Sequence, residues 1–381
     1  MIIKWPSKEN PLDPSFQERI DILRQKFTGI DCDTLLILTD ENRRYLSGFT
    51  GHDTQFDETA GALLITNDRL ILATDSRYEL QAKNEARLYD VLVYKESLSK
   101  ELPAILSNLG TRTLGFESVR LSYLQYQKMI AGIEQAGLDV TLEPMVDLVE
   151  QLRICKTDPE IAILGEALWL AEDVFTQCLQ QIEPGMTEKH VAWLMEKGMR
   201  EAGAEALSFP TIVAAGPNSA LPHAIPGDRK IRVGEPLLFD WGARLNGYCS
   251  DISRTVIFGE PDTTFTRVFQ TVLDAQRLAI EAIKGGVSSK AVDQIARAHI
   301  EKEGFGGKFG HGLGHGTGLA IHEAPRLSPL KDTRLEPGMV TTVEPGIYLD
   351  GWGGIRLENM VVVRADGAEV LNRTDPAIHR I

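Results

Sequence analysis

A chain of 381 residues is too long for one ordinary hydrophobic core, so two domains are the starting expectation. A formal charge of −14 and a pI near 5.1 exclude nucleic acid or an anionic membrane as the main partner, since both call for a basic surface. No apolar run reaches the roughly 20 residues of a membrane span, the stretch MIIKWPSKENPLDPSF lacks the pattern of a signal peptide, and the scattered Cys32, Cys155, Cys178 and Cys249 contain no CxxC pair, as expected of reduced cytoplasmic thiols.

The first 150 residues alternate between strand-like and helix-like stretches. DTLLILTD (33–40), GALLIT (61–66) and RLILATD (69–75) are short apolar runs bounded by polar turns, the pattern of buried strands. Helical stretches such as SRYELQAKNEA fall between and after them, which predicts a small α/β domain over 1–150. The boundary is expected near LRICKTDPEIAIL, with a second domain over 151–381. There Asp158 can cap a helix, Pro159 suits its first position and Glu160 suits its N-terminal dipole. Ile161, Leu164, Leu168, Val174, Phe175 and Cys178 continue its apolar face until Pro184-Gly185 stops it.

Beyond that helix the sequence repeats itself. IEPGMTEKHV (182–191) lies over IKGGVSSKAV (283–292), offset by 101 residues. Each match opens a helix, capped by Thr187 or Ser288, that ends at Gly203 or Gly304. VGEPLLFDWG (233–242) then matches PGMVTTVEPG (337–346), and HAIP (223–226) matches HEAP (322–325). The pattern is one duplicated half-domain of helices followed by a strand pair, and two facing halves would bury one shared site.

The duplication sets Asp240 opposite Glu344, Asp251 opposite Glu358, and His223 opposite His322. Asp240 and Glu344 end apolar runs, where acids rarely sit uncompensated. Four converging carboxylates would repel one another and shift their pKa values upward. Two divalent ions would remove that problem. An oxygen-rich donor set with one imidazole suits Mn²⁺ and accepts Co²⁺, Zn²⁺ or Fe²⁺, whereas the absence of thiolates disfavours a structural zinc site. The glycine-rich GHGLGHGTG (310–318) contains neither GxxxxGK[ST] nor a full GxGxxG, so a phosphate loop is excluded, and it has no HExxH.

This set resembles that of the pita-bread metallopeptidases, the family of methionine aminopeptidase, aminopeptidase P and prolidase. The resemblance covers most of residues 155–381 and implies the pita-bread fold, an α/β (α+β) architecture with an internal pseudo-two-fold. It also implies a dinuclear centre held by Asp240, Asp251, His315, Glu344 and Glu358. Asp240 and Asp251 would hold one metal, His315 and Glu344 the other, and Glu358 would bridge them, sharing the pair with Asp251. His322 then matches the imidazole beside the scissile carbonyl, His223 the one positioning substrate and leaving group, and His311 the one lining the proline pocket. Glu344 can also accept a proton from the attacking water. Tyr348 and Arg356 match positions on the leaving-group side, where an arginine could read a free carboxylate.

YLSGFTG (45–51), ATDSRYELQAKNEA (73–86), LGFE (114–117) and LRICKTDPEI (152–161) resemble the creatinase-like N-terminal domain of short bacterial Xaa-Pro aminopeptidases and related prolidases. In that group the domain narrows access to the partner's site in a homodimer. HDTQFDE (52–58) is an insertion there, read either as a tolerated surface loop or as a specificity loop. The implied activity is metal-dependent hydrolysis of the N-terminal Xaa-Pro bond, on peptides with proline second. Xaa-Pro dipeptidase is the alternative, and a non-peptide C–N hydrolase of the same fold is the lesser one. Metal-free creatinase-like enzymes and non-enzymatic binding modules of this fold lose ligands, and all five are present here.

Overall fold

In the computed structural model, residues 14–381 are described except 28, 30, 31, 54, 56, 57, 378 and 379. Two units divide the chain, one running to Leu152 and the other from Arg153 to Ile381.

The apolar runs of the first unit form a mixed six-stranded sheet in the order β4-β3-β2-β1-β5-β6. Its strands are β1 (Thr34–Ile37), β2 (Ala62–Thr66), β3 (Leu70–Asp75), β4 (Asp90–Tyr94), β5 (Thr113–Glu117) and β6 (Thr141–Met145). Interleaved with them are α1 (Pro14–Phe27), α2 (Asp40–Ser47), α3 (Glu79–Glu85), α4 (Leu98–Leu109) and α5 (Tyr123–Gln135). Every residue of β1 and β2 is buried, which explains why both read as continuous apolar runs instead of alternating ones. Asp53, within the inserted segment, accepts from Arg43 at 2.9 Å, from Arg120 at 2.8 Å and from the Ala60 backbone N–H at 2.7 Å. That part of the insertion is therefore pinned into the unit by buried charge pairs. Thr54, Phe56 and Asp57 lie outside the described residues.

A single turn, α6 (Glu150–Arg153), precedes α7 (Asp158–Leu179). The cap of α7 is Thr157 and not Asp158: Glu160 reaches back to the Thr157 backbone N–H at 2.8 Å, closing a capping box, and Asp158 falls inside the first turn. The helix ends at Leu179, before Pro184. Its apolar stripe is buried as the periodicity requires, with Leu164 and Leu168 fully enclosed. Phe175 stacks on Trp241 at 4.4 Å between ring centroids, and the Trp241 indole N–H donates to the Ala171 carbonyl.

The first half of the second unit continues with α8 (Glu188–Glu201), β7 (Ala206–Leu207), β8 (Ile212–Ala215), β9 (Pro236–Trp241), β10 (Ala243–Leu245), β11 (Tyr248–Cys249) and β12 (Ile252–Ile257). The second half adds α9 (Thr263–Ala282), α10 (Ser289–Ile300), β13 (Gly314–Gly316), β14 (Glu323–Leu327), β15 (Val340–Val343), β16 (Gly346–Leu349), β17 (Gly353–Arg356), β18 (Asn359–Val363) and β19 (Ala368–Val370). Strands β12-β9-β8 form one antiparallel sheet, and β14-β13-β15-β18-β19 form another. No described helix is long and apolar enough to cross a membrane.

The backbone hydrogen bonds repeat along with the sequence. Gly185 donates to Ile231 O, and Gly286 donates to Leu335 O. Ile231 returns a bond to Met186, as Leu335 does to Val287, while Glu188 donates to Arg229 and Ser289 to Thr333. Thr187 and Ser288 both cap their helices, accepting from His190 N and Ala291 N respectively. Gly203, two residues past α8, takes φ +103°, while Gly304 takes φ +88° inside the π-helical turn Glu301–Phe305 that continues α10. Because the two caps are equivalent and distant, Thr187→Ala and Ser288→Ala should each lower stability by about 1 kcal/mol and add in the double variant. Urea denaturation checks this; a strongly non-additive double variant would contradict it.

Candidate functional site

Strand ends position the acids. Asp240 is the penultimate residue of β9 and pairs in register with Ser253 of β12. Asp251 immediately precedes β12, Glu344 immediately follows β15, and Glu358 lies in the break between β17 and β18. His315 is the middle residue of β13. The backbone fixes these ends: Glu344 N–H donates to Leu313 O at 2.8 Å and Glu358 N–H to Ser253 O at 3.0 Å. All five line a cavity of about 590 Å³, together with His223, His311, His322, Arg326 and Arg356. Gly314 and Gly316 flank His315 because a Cβ there would stand 2.0 Å from Thr342 O or 2.1 Å from Ala324 O. The glycines in the sequence thus permit close strand pairing around the histidine.

The donor atoms are arranged as a cation would require. Asp251, His315 and Glu358 present ligand atoms within 4.8 Å of one another. His315 Nε2 lies 3.4 Å from Asp251 Oδ2 and 3.4 Å from Glu344 Oε1. The other ring nitrogen, Nδ1, faces Gly316 O at 3.0 Å. A carbonyl only accepts, so Nδ1 carries the proton and Nε2 turns a lone pair toward the two carboxylates. Asp240 Oδ1 and Glu358 Oε1 are buried with no hydrogen-bond partner among the described residues. Buried carboxylate oxygens converging with an imidazole lone pair fit divalent metal ions.

Electrostatics agree. Burial first, and then the neighbouring carboxylates, push Asp251 and Glu358 well above the usual carboxylate range. Burial raises Asp240 as well, against the pull of Arg356, and raises Glu344 to about 7. His315 falls to about 3 and His311 to about 4, because burial disfavours the imidazolium in both. The three histidines His311, His315 and His322 all move downward, so this pocket holds neutral rings beside reluctant anions.

The remaining residues form a relay. Arg356 donates to Asp240 Oδ2 at 2.6 Å, to Ser253 Oγ at 2.8 Å, and to Pro222 O and Tyr348 Oη at 3.1 Å each. Ser253 Oγ donates in turn to Glu358 Oε2 at 2.7 Å. His311 Nδ1 faces Gly312 O at 2.8 Å, so its Nε2 accepts from Tyr348 Oη at 2.9 Å. The Arg356 guanidinium reaches the cavity wall but is buried and bound to Asp240, Ser253, Pro222 and Tyr348. Tyr348 reaches the site through His311 and Arg356. The sequence reading missed Arg326 and Ser253. Arg326 follows HEAP by one residue and stands opposite His315 in the β13–β14 register. Ser253 lies two residues after Asp251, a spacing that returns a side chain to the same strand face.

A cavity lined by carboxylates and neutral imidazoles, with room for a small ligand, presents the donor set of a divalent-metal site. The chain matches metallopeptidase family M24 over residues 162–365 and the creatinase/prolidase N-terminal domain over residues 19–155. It is 36% identical to the Xaa-Pro dipeptidase of Pyrococcus furiosus, covering 94% of this chain and 99% of that one. It superposes on the Xaa-Pro dipeptidase of Bacillus anthracis with TM-score 0.90 at 39% identity, covering 96% and 100% of the two chains. It is also similar to the X-Pro aminopeptidase of Thermotoga maritima, with TM-score 0.85 at 37% identity over 94% and 100%. The protein belongs to metallopeptidase family M24, with the pita-bread catalytic domain preceded by a creatinase N-terminal domain.

The raised carboxyl of Glu344 gives a pH dependence with a definite sign. Its contribution to stability is fully present below its ordinary value of 4.5 and is lost as pH rises through about 7. In chelated protein the carboxylates therefore destabilise the fold progressively across that window. The rise in Tm on adding a saturating divalent ion should grow over the same window. Asp251→Asn, which removes one repelling charge, should be at least as stable as the chelated wild type at neutral pH and should not respond to the ion. Differential scanning fluorimetry reads both; a metal response surviving in Asp251→Asn would contradict the assignment.

Proposed function

We propose that the protein is an Xaa-Pro dipeptidase. The observation that carries this reading is Arg326, an exposed cation on the cavity wall, opposite His315 and with no carboxylate partner among the described residues. A dipeptide places its free C-terminal carboxylate one residue beyond the scissile bond, where a guanidinium beside the catalytic centre can pair with it. The similarity to two proteins named Xaa-Pro dipeptidase supports the same choice. It reverses the order of the two activities expected from sequence motifs, which set Xaa-Pro aminopeptidase first. Similarity to the Thermotoga maritima enzyme keeps the aminopeptidase as the second reading.

Asp240 and Asp251 would hold one divalent ion, His315 and Glu344 a second, and Glu358 would bridge the pair. Manganese is the first expectation from this oxygen-rich set, with cobalt, zinc or iron as alternatives. Such ions, when bound, supply Lewis acidity toward the scissile carbonyl and lower the pKa of a water. The protein's own groups do the rest. Glu344 takes the proton released as water attacks the carbonyl carbon. His322, edge-on to His315 with ring centroids 4.5 Å apart, faces the cavity and donates a hydrogen bond to the developing oxyanion. His223, on the matching loop of the other half, positions the leaving proline nitrogen. His311, held by Gly312 O and Tyr348, walls the proline pocket. The family resemblance further implies a cytoplasmic homodimer acting on peptides with proline second, and the acidic charge of −14 suits neither nucleic acid nor an anionic membrane.

Steady-state kinetics on Ala-Pro and on Ala-Pro-Ala test the reading. The dipeptide should be strongly preferred. Arg326→Met should raise KM for Ala-Pro about 10- to 100-fold, the equivalent of a charge-assisted contact worth roughly 1.5–3 kcal/mol, and leave kcat nearly unchanged. Equal cleavage of both peptides by the wild type would establish the aminopeptidase reading instead.

A further inference from the structure

Glu323 follows His322 in the chain and opens β14, and the chemistry above gives it no role. Its carboxylate is enclosed between two cations, with Arg153 on Oε1 and Lys156 Nζ 3.0 Å from Oε2. Side-chain exposures of 5%, 2% and 8% for Arg153, Lys156 and Glu323 make this a buried triad. The Ala320 backbone N–H also donates to Oε1 at 2.9 Å. Burial pushes the carboxyl up, but Lys156 and Arg153 outweigh it, so Glu323 stays ionised below its ordinary range.

The triad closes a short turn that is tied down at its other end. Thr317 Oγ1 donates to Cys249 O at 2.9 Å, and Cys249 N–H donates to Gly318 O at 2.7 Å, two residues before Asp251. A Cβ on Gly318 would stand 2.7 Å from Glu323 Oε2, so the carboxylate and the glycine specify each other. His322 is carried between these two anchors, one residue from the carboxylate. A buried ion triad contributes little net stability compared with an apolar cluster of the same volume. What it does supply is a single geometry, with three charged groups that fit together in one way.

We propose that Glu323 is a positioning residue for His322: the Arg153–Glu323–Lys156 triad fixes the turn from Gly318 to Pro325 and thereby holds the His322 imidazole at the substrate carbonyl. This deepens the proposed function and rests on reading His322 as a group that acts on substrate. Arg153 and Lys156 thus serve the active site through a carboxylate, although neither side chain lines the cavity.

The test compares wild type, His322→Ala, Glu323→Asp, Lys156→Gln and the double variant His322→Ala/Glu323→Asp on Ala-Pro. Bound metal and Tm are measured for each. Glu323→Asp keeps the charge but draws the carboxylate back by one methylene, and Lys156→Gln leaves the Arg153–Glu323 pair in place, so neither strands both cations. His322→Ala should lower kcat by about 100-fold or more. The two triad variants should lower kcat by about 10- to 100-fold, as for a misplaced catalytic group, with KM and metal content unchanged. The double variant should lose no more than His322→Ala alone, since both changes remove the same function. Wild-type kcat in folded, metal-replete Glu323→Asp and Lys156→Gln, or losses that multiply in the double variant, would overturn the proposal. Wild-type kcat in His322→Ala would overturn the reading of His322 itself, and this proposal with it.

Discussion

Four carboxylates share one buried pocket, and the fold must live with their repulsion. Among the described residues Asp240 is the one met directly by a cation, through Arg356 at 2.6 Å. Asp251, Glu344 and Glu358 face one another and the lone pair of His315. Left alone, such a pocket would take up protons or loosen. Divalent ions would offset that repulsion. The unpartnered Asp240 Oδ1 and Glu358 Oε1 mark where the structure leaves room for them.

The duplication is how the chain assembles this pocket. Each half supplies a capped helix, a strand ending in an acid, and a loop of the form HxxP. The equivalence reaches the backbone, since Gly185–Ile231 and Gly286–Leu335 make the same hydrogen bond. The halves have nonetheless diverged where function differs. On the first, Glu188 pins the His223 loop through the Gly227 N–H at 3.0 Å. On the second, the acid lies on the loop itself as Glu323, and its cations come from the segment ahead of α7. A pseudo-symmetric frame can thus hold two histidines, His223 and His322, in unequal settings.

Much of this was legible in the sequence because it rests on local pattern. The buried strands of the first unit, the apolar stripe of α7, and the caps Thr187 and Ser288 follow from spacing alone. The four acids could be grouped because duplication aligned acid with acid, whereas His315 joined them only through the family resemblance. What escaped was whatever depends on three-dimensional pairing. The cap of α7 was placed on Asp158, one residue late, because Thr157 and Asp158 are both good caps and only the backbone chooses between them. The burial of Arg356 and its bonds to Asp240 and Ser253 were invisible. Arg326 was passed over because one arginine after HEAP signals nothing until β14 pairs with β13. The Glu323 triad joins residues some 170 positions apart and has no local signature.

The most direct measurement is a calorimetric titration of chelated protein with manganese at neutral pH, repeated in buffers of different ionisation enthalpy. If the carboxylate pocket exists to hold metal, two ions should bind per chain. Binding should release protons, and Glu358→Gln should weaken both ions together. Binding that leaves the protons in place, or that is indifferent to Glu358→Gln, would contradict it.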